Sequence, residues 1–425
     1  MSIVKLANGV EGKYLKTNKF KTSRISINMF VKADEKAISA YSLLQMMLLN
    51  STVDYPNYTL LNKALNELYG ASFNGDIIKF GDMRLIKFSI GFLDDKFAFA
   101  DDKVSEKATD LLLNAIFNPP LYDGKFKQDD FENNKRLLIE QIESEINEKR
   151  RYAIYNTEKA MYKDELAGIS RYGTVETVKS LSNEDVVAYA FKLLKESFIR
   201  VNIVSVSSPE KVFQKISDKF SNIERNVEKV NMSIFHKASD EINFVEEQLD
   251  VTQGKLCMGF TVDTDKSRDD VAKSSIFVDM FGGGPYSKLF TNVREKQSLC
   301  YYCAARFDSR KSTFIVDSGV LQENKDKAYN GILEQLEEMK KGNFTDDELA
   351  ASKMAICDAL NSVSDLSSSL ESWYSMLVFD EDETLETYIK RIENVTREDI
   401  IKKANSVKLD TVYFLGGKKG DVLNG

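Results

Sequence analysis

Hydrophobic and polar residues follow one another in the same order in the two halves of the chain. Alternating apolar residues at Ser23–Val31 and Gly254–Val262 predict a strand near the start of each half. Each stretch is followed by an apolar segment of helical length, Glu35–Leu49 and Arg268–Gly283, then by a second helical segment and a pair of strands. The pattern therefore predicts one structural unit that occurs twice.

The last part of each half repeats as well. A helical pattern begins at a Ser/Thr-x-x-Asp signature, Ser182 to Asp185 in the first half and Thr396 to Asp399 in the second, and an apolar strand follows. The signature resembles a capping box, in which a hydroxyl and a carboxylate satisfy the free amides at a helix start. The repetition therefore extends to the end of both halves.

The polar segment Ser221–Glu241 separates the halves. We predict an α+β fold class with two tandem homologous α/β units, each a mixed or antiparallel sheet covered by helices. The predicted domains are 1–220 and 242–425. A chain of 425 residues with 43% hydrophobic residues can supply a core to each.

Composition excludes several classes of protein. A net charge of −8 argues against nucleic acid as a partner. The N-terminus lacks a basic region followed by an apolar run, and the longest dense apolar run, "LLQMMLL", is far too short to span a bilayer. Four cysteines are too few for a disulfide scaffold. We expect a cytoplasmic protein without a membrane partner.

The chain contains a single histidine, His236. Serine and cysteine hydrolases of the triad type need a histidine beside the nucleophile, and zinc hydrolases mostly need two or three as ligands. Because His236 lies in the polar segment between the halves, we expect a solvent-exposed linker residue.

The segment Phe281–Tyr302, "FGGGPYSKLFTNVREKQSLCYY", raises three possibilities. A phosphate loop is disfavoured, because the Gly-x-x-x-x-Gly-Lys-Ser/Thr spacing is absent. Cys300 and Cys303 have redox spacing, but they fall in a predicted strand, where residues three apart point to opposite faces. The third possibility is half of an active site whose other half lies elsewhere.

The same segment resembles a motif of the pitrilysin/insulinase family, the inverted-zincin metallopeptidases, and the resemblance covers nearly the whole chain. The matching residues are Gly283-Gly284, Ser287-Lys288-Leu289-Phe290, Arg294-Glu295-Lys296 and Ser298-Leu299-Cys300-Tyr301. In that family the arginine and the tyrosine help to hold the oxyanion at the scissile peptide. The resemblance implies this role for Arg294 and Tyr301, whose guanidinium and phenol are suitable donors.

The family's zinc motif, His-x-x-Glu-His, is absent from its expected place on the first long helix. Ser42, Gln45 and Met46 stand at the three motif positions, and Glu140 alone matches the family's third ligand. Serine is a poor zinc ligand, glutamine cannot accept a proton from water, and methionine suits softer metals. We therefore expect no metal in this chain and interpret the apolar helix as a core element.

The resemblance implies a non-catalytic subunit that completes the substrate chamber of a heterodimeric zinc metallopeptidase acting on short peptides. Zinc is expected on a paralogous partner, and Arg294 and Tyr301 would act there in trans. A catalytically inactive peptide-binding or scaffold protein, a homodimer, and a structural subunit of a larger assembly remain alternatives. The residues expected to line the peptide path are Gly282, Gly283, Gly284, Phe73 and Asn74.

Overall fold

A computed structural model describes residues 3–228 and 234–417, and the chain divides into two compact units of three segments each. The first unit consists of Met1–Glu143, Ile169–Met232 and Ser362–Asp382. The second unit consists of Ser144–Gly168, Ser233–Asn361 and Glu383–Gly425.

The compact units differ from the predicted sequence domains, 1–220 and 242–425, at two segments. Residues 144–168 belong to the second unit, although they precede the boundary, and residues 362–382 belong to the first. The predicted bounds describe where the sequence pattern repeats, and as domain bounds they stay a prediction. Residues 229–233 of the predicted boundary lie outside the described residues.

The helices and strands follow the predicted order closely. The strands are β1 Ile3–Ala7, β2 Val10–Lys16, β3 Thr22–Lys32, β4 Ser72–Phe80, β5 Met83–Leu93, β6 Leu121–Tyr122, β7 Lys125–Phe126, β8 Phe198–Ser205, β9 Asn243–Leu249, β10 Gly254–Thr261, β11 Cys300–Asp308, β12 Thr313–Val320 and β13 Lys408–Gly417. The helices are α1 Glu35–Asn50, α2 Tyr58–Glu67, α3 Val104–Phe117, α4 Gln128–Ser144, α5 Lys149–Met161, α6 Val175–Ser180, α7 Asn183–Glu196, α8 Glu210–Ser221, α9 Arg268–Gly282, α10 Lys325–Lys340, α11 Asp346–Val363, α12 Ser367–Ser375, α13 Leu385–Glu393 and α14 Arg397–Ser406. Both predicted capping boxes are present, at the starts of α7 and α14.

The sheets of the two units share the order and the pairing directions of five strands, and the first sheet has β1 as an additional edge strand. The sheet of the first unit has the order β1-β2-β8-β3-β5-β4, and that of the second has the order β9-β13-β10-β12-β11 when read in the same direction. β2 pairs with β8 in parallel, and β9 pairs with β13 in parallel at the equivalent position, while the other neighbours in these two sheets are antiparallel. The predicted fold class, two repeated α/β units with mixed sheets, is confirmed. β4 and β11 are the equivalent edge strands.

Both faces of the first sheet are covered. Alternate residues of β3 pack in two different hydrophobic clusters, one on each face of the sheet. Ile25, Ile27 and Met29 pack in the main core with α1. The alternate residue Phe30 packs on the opposite face in a cluster that includes Val378 from the segment 362–382. That segment therefore belongs to the core of the first unit.

Buried charges fix the segment 362–382 in the first unit. Glu371 of α12 is fully buried and pairs with Lys87 of β5, and it also accepts a hydrogen bond from Ser26 of β3. Although burial raises it, the charge of Lys87 and these hydrogen bonds hold the pKa of Glu371 below its usual range. Arg200 of β8, also fully buried, lies 3.2 Å from Glu381. Each buried charge therefore has its partner inside this unit.

α5 covers the sheet of the second unit in the corresponding way. Ala153 of α5 is buried with Cys257 and Tyr413 of the sheet. Gly259 of β10 leaves room for Met161, since a Cβ there would lie 2.9 Å from its sulfur. The helix is therefore a core element of this unit, although the sequence order places it in the first half.

His236 is not the exposed residue that the polar sequence around it predicted. Its side chain is 6% exposed and pairs with Glu165, and its Nε2 lies 3.4 Å from Oδ1 of Asp410. Its backbone N–H donates to the carbonyl of Lys311 at 2.9 Å. The expectation of an exposed histidine was wrong because the two carboxylates that contact the imidazole come from distant parts of the sequence.

Among residues 3–228 and 234–417, no helix is both long enough and apolar enough to cross a membrane.

Candidate functional site

The segment between α9 and β11 of the second unit departs from regular structure at successive points. Leu289–Lys296 forms a π-helix, a form that is rare and often marks functional sites. Ser298, which follows it, has a φ of 52°, a conformation that favours glycine. Strained backbone of this kind persists where surrounding structure holds it in place, and it is concentrated at functional sites.

The third irregularity is a β-bulge at Tyr301. Along the ladder with β12, Cys300 pairs with Val320 and Tyr302 pairs with Gly319, so that Tyr301 is the extra residue. A bulge re-aims a side chain and ends regular pairing. Tyr301 is 58% exposed as a result, although it lies on a strand whose neighbouring residue Cys300 is buried.

Arg294 is held against the bulge. Its Nε donates to the backbone carbonyl of Tyr301 at 2.9 Å, and its Nη1 lies 2.7 Å from a carboxylate oxygen of Glu295. The guanidinium lies over the ring of Phe290, 4.4 Å from the centroid. Within the described residues, Nη2 of Arg294 and the phenol of Tyr301 have no hydrogen-bond partner. The structure thus brings together the two predicted residues and leaves donors on both.

At each of the glycines Gly282, Gly283 and Gly284, a larger residue would collide with a neighbouring atom. A Cβ at the buried Gly282 would lie 2.6 Å from the backbone nitrogen of Ala305, so this glycine lets α9 approach β11. At Gly283 a Cβ would lie 2.0 Å from a carboxylate oxygen of Asp279. Gly284 would contact the ring of Tyr286 at 2.8 Å. Gly282 serves internal packing, and a role in the peptide path stays a prediction for all three.

In the first unit, Phe73 and Asn74 lie on the edge strand β4, Phe73 partly buried and Asn74 exposed. An edge strand presents backbone donors and acceptors that can pair with an added peptide. Gly75 of the same strand packs on Gln45, since a Cβ there would lie 2.8 Å from its side chain. Peptide binding along β4 stays a prediction.

The positions of the zinc motif on α1 serve the core of the first unit. Ser42 donates to the carbonyl of Ile38 at 2.8 Å. Gln45 donates through Nε2 to the carbonyls of Asp76 on β4 and Lys87 on β5, at 2.9 and 3.1 Å. Met46 is partly buried against the hydrophobic core. Gln45 therefore binds α1 to the sheet, Met46 packs on the core, and the hydrogen bond of Ser42 stays within the helix.

Comparison with known proteins agrees with this geometry. Residues 180–356 match a family model described as "Peptidase M16 inactive domain". The chain is 29% identical over 413 residues to "Probable inactive metalloprotease YmfF" of Bacillus subtilis, which covers 97% of both proteins. It also resembles the crystal structure of a conserved protein from Enterococcus faecalis, with a TM-score of 0.89, 26% identity and 98% of both chains covered.

A crystal structure of a peptidase M16 inactive domain from Pseudomonas fluorescens has the same fold, with a TM-score of 0.78 at 17% identity, covering 98% of this chain and 97% of that one. The comparisons confirm the resemblance to the pitrilysin family of peptidases that the sequence predicted. Both the matching family model and the Bacillus subtilis relative are described as inactive, which agrees with the replaced zinc motif of this chain.

A zinc ion does not fit the residues that this chain places at the positions of the zinc motif. The hydroxyl of Ser42 and the amide of Gln45 are both committed as donors to backbone carbonyls. Glu140 lies on the surface of α4, its side chain 54% exposed and paired with Arg136. Within residues 3–228 and 234–417, no three side chains of His, Cys, Asp or Glu form a group that could hold a metal ion.

Sequence reasoning missed the relation between Cys300 and Cys303. The prediction that they point to opposite faces was wrong, because the bulge at Tyr301 shifts the phase of the strand. Cys300 and Cys303 pair with Val320 and Ser318, which are two positions apart on β12 and share one face. Nothing in the sequence of this segment indicated the bulge, because it arises from the register with β12.

Proposed function

We propose that this chain completes the substrate chamber of a heterodimeric zinc metallopeptidase that acts on short peptides. The zinc ion would reside on a paralogous partner with an intact motif. This chain would donate Arg294 and Tyr301 to the partner's site, where they would stabilise the negative charge that develops on the scissile carbonyl oxygen.

The observation that supports this proposal most is the exposure of Tyr301. A tyrosine that served only packing would be expected to bury its ring, yet Tyr301 is 58% exposed at a bulge. The bulge, the π-helix and the left-handed Ser298 all lie within one short segment. Local strain of this kind needs compensation elsewhere in the fold, and display of a functional side chain is a reason to keep it.

A second candidate, an inactive peptide-binding or scaffold protein, is favoured by a different observation. Arg294 already has an internal role, because it holds the carbonyl of Tyr301 and lies on Phe290. Its presence is therefore explained without catalysis. The phenol of Tyr301 has no such internal role among the described residues, so Tyr301 is the residue that separates the two candidates.

The test is peptide hydrolysis by this chain reconstituted with a zinc-bearing paralogue from the same genome. Tyr301→Phe removes one hydroxyl, and turnover is expected to fall by about a hundredfold, the usual effect of losing one oxyanion donor. Zinc content and the size of the complex are expected to stay unchanged. Tyr122→Phe is the matched control, since Tyr122 is also 58% exposed and lies in the first unit.

Unchanged turnover in Tyr301→Phe, with an intact complex that holds zinc, would reject catalysis in trans and favour the scaffold. Arg294→Ala is less decisive, because it also removes the hydrogen bond to the bulge. Arg294→Lys keeps the positive charge and is the better companion variant.

A further inference from the structure

The bulge at Tyr301 places two thiols side by side. Cys300 and Cys303 occupy ladder positions opposite Val320 and Ser318, on the same face of the edge strand. Both are buried, at 7% and 5% exposure, and the two thiols lie close enough for each to shift the pKa of the other. Residues that share a strand face two positions apart have Cα atoms about 6.6 Å apart. Disulfides span Cα distances of about 4.4 to 6.8 Å and Cβ distances of about 3.5 to 4.5 Å. Closure of a disulfide here therefore requires that the bulge bring the two Cβ atoms closer together than a regular strand does.

The surroundings of the two sulfurs differ. The hydrogen bond from Cys303 lowers the pKa of Cys300, against the effect of burial, and the nearby charge of Arg294 acts in the same direction. Donating that hydrogen bond and being buried raise the pKa of Cys303 well above its ordinary value. Cys300 also precedes Tyr301, whose carbonyl accepts the hydrogen bond from Arg294, so Cys300 is the thiol with a guanidinium beside it. It is therefore the sulfur suited to attack, and Cys303 is the one suited to resolve.

The other two cysteines lack this arrangement. Burial raises the pKa of Cys257 to about 12, and this residue lies in a core cluster with Ala153 and Tyr413. Cys357 on α11 is partly exposed, and burial raises its pKa too. Cys357 is therefore a control for thiol exposure without a paired thiol.

We propose that Cys300 and Cys303 form a reversible dithiol/disulfide site on the edge strand that carries Tyr301. The oxidant is a low-molecular-weight disulfide such as glutathione disulfide. The thiolate of Cys300 attacks one of its sulfurs and releases the first glutathione thiolate. Cys303 then loses its proton and attacks the Cys300 sulfur of the mixed disulfide, which releases the second. Two protein thiols and one glutathione disulfide thus become one protein disulfide and two glutathiones.

This site goes beyond the proposed function and does not depend on a partner chain. The ring closed by the disulfide contains Tyr301 and Tyr302, so oxidation fixes the bulge, and reduction returns it to a shape held by hydrogen bonds alone. The orientation of Tyr301 therefore depends on the redox state of its neighbours.

The test uses the full chain, first reduced and then equilibrated under native conditions in glutathione buffers of increasing oxidised fraction. Acid quenching, alkylation in denaturant and mass spectrometry then count the free thiols. We expect the mass of the protein to fall by two hydrogens and a disulfide-linked peptide that contains Cys300 and Cys303 to appear. Cys357 should still be alkylated. Cys357→Ser is expected to leave this oxidation unchanged.

The single variants separate the two roles. Cys303→Ser is expected to gain one glutathione on Cys300 that is not released, because no resolving thiol remains. Cys300→Ser is expected to leave Cys303 free. The proposal is overturned if both cysteines stay alkylated in the most oxidising buffer, if the disulfide forms only after unfolding, or if it joins other cysteines. The measurement on the unaltered chain decides this even if a variant does not fold.

Discussion

At the scale of single residues, Gln45 has a structural role at the position where the zinc motif of the pitrilysin family has its glutamate. Its side-chain amide donates to carbonyls of two adjacent strands, β4 and β5, and it is 8% exposed. A glutamate, the residue that the family uses here as a general base, has no hydrogen to donate when ionised. The same position therefore cannot hold the present core together and activate water.

Gln45→Glu is expected to lower the free energy of unfolding by roughly 2 to 4 kcal/mol at neutral pH, through two lost hydrogen bonds and a buried charge. Burial would raise the pKa of the new carboxyl in the folded state, so the loss should shrink as the pH falls towards 5. Urea unfolding at pH 7.5 and 5 measures this. Gln141→Glu, exposed on α4, is the control, and equal effects of the two substitutions would contradict the structural role.

At the scale of elements, much of the fold was predictable from local pattern. The two long helices, the strands beside them and both capping boxes occur within about two residues of their predicted positions, because periodicity and caps are local properties. The exchanged segments 144–168 and 362–382 were not predictable. The pairing of Glu371 with Lys87 joins residues far apart in sequence, and no local pattern records it.

The candidate site was predictable only in part, for the same reason. The juxtaposition of Arg294 and Tyr301 followed from a short motif. The bulge between Cys300 and Tyr302 depends on the register with β12, a non-local property, and the error about the faces of Cys300 and Cys303 followed directly from it.

The segment that carries His236 shows a further effect of non-local contacts. Although burial opposes it, hydrogen bonds and charges from Asp410 and Glu165 raise the pKa of His236 to about 9. Lys311 also pairs with Glu165, so two carboxylates face two cations only when the imidazole is protonated. A His pKa raised on folding stabilises the fold fully below about pH 6.5 and loses that effect as the pH rises through 9.

Because the chain has one histidine, proton NMR can follow its titration without assignment. We expect a pKa near 9 in the folded chain and near 6.5 in urea. Correspondingly, His236→Gln should destabilise the protein by up to about 3 kcal/mol at pH 6.5 and by much less above pH 9.5. A folded-state titration near 6.5 would show that the carboxylates do not hold the imidazole.

At the scale of the whole molecule, the chain passes five times between its two compact units, after residues 143, 168, 232, 361 and 382. Each unit therefore contains a core element encoded in the other half of the sequence. Removal of 362–382 would leave the buried Lys87 without its carboxylate, and loss of one partner of a buried pair typically costs about 3 to 5 kcal/mol. The halves of the sequence are thus not independent folding units.

A chain cut once within Ser221–Glu241, at an inserted protease site, is consequently expected to remain in one piece under native conditions. The N-terminal fragment retains α5, which is buried in the second unit, and the C-terminal fragment retains α12, which is buried in the first. Size-exclusion chromatography of the cut protein should give the elution volume of the intact chain in buffer and two smaller species in concentrated urea. Glu371→Gln weakens the hold on α12 and should lower the urea concentration at which the fragments part, whereas an exposed substitution such as Glu337→Gln should not. Separation of the fragments in buffer alone would show that the exchanged helices contribute little, and the units would then behave as two domains that follow the sequence halves.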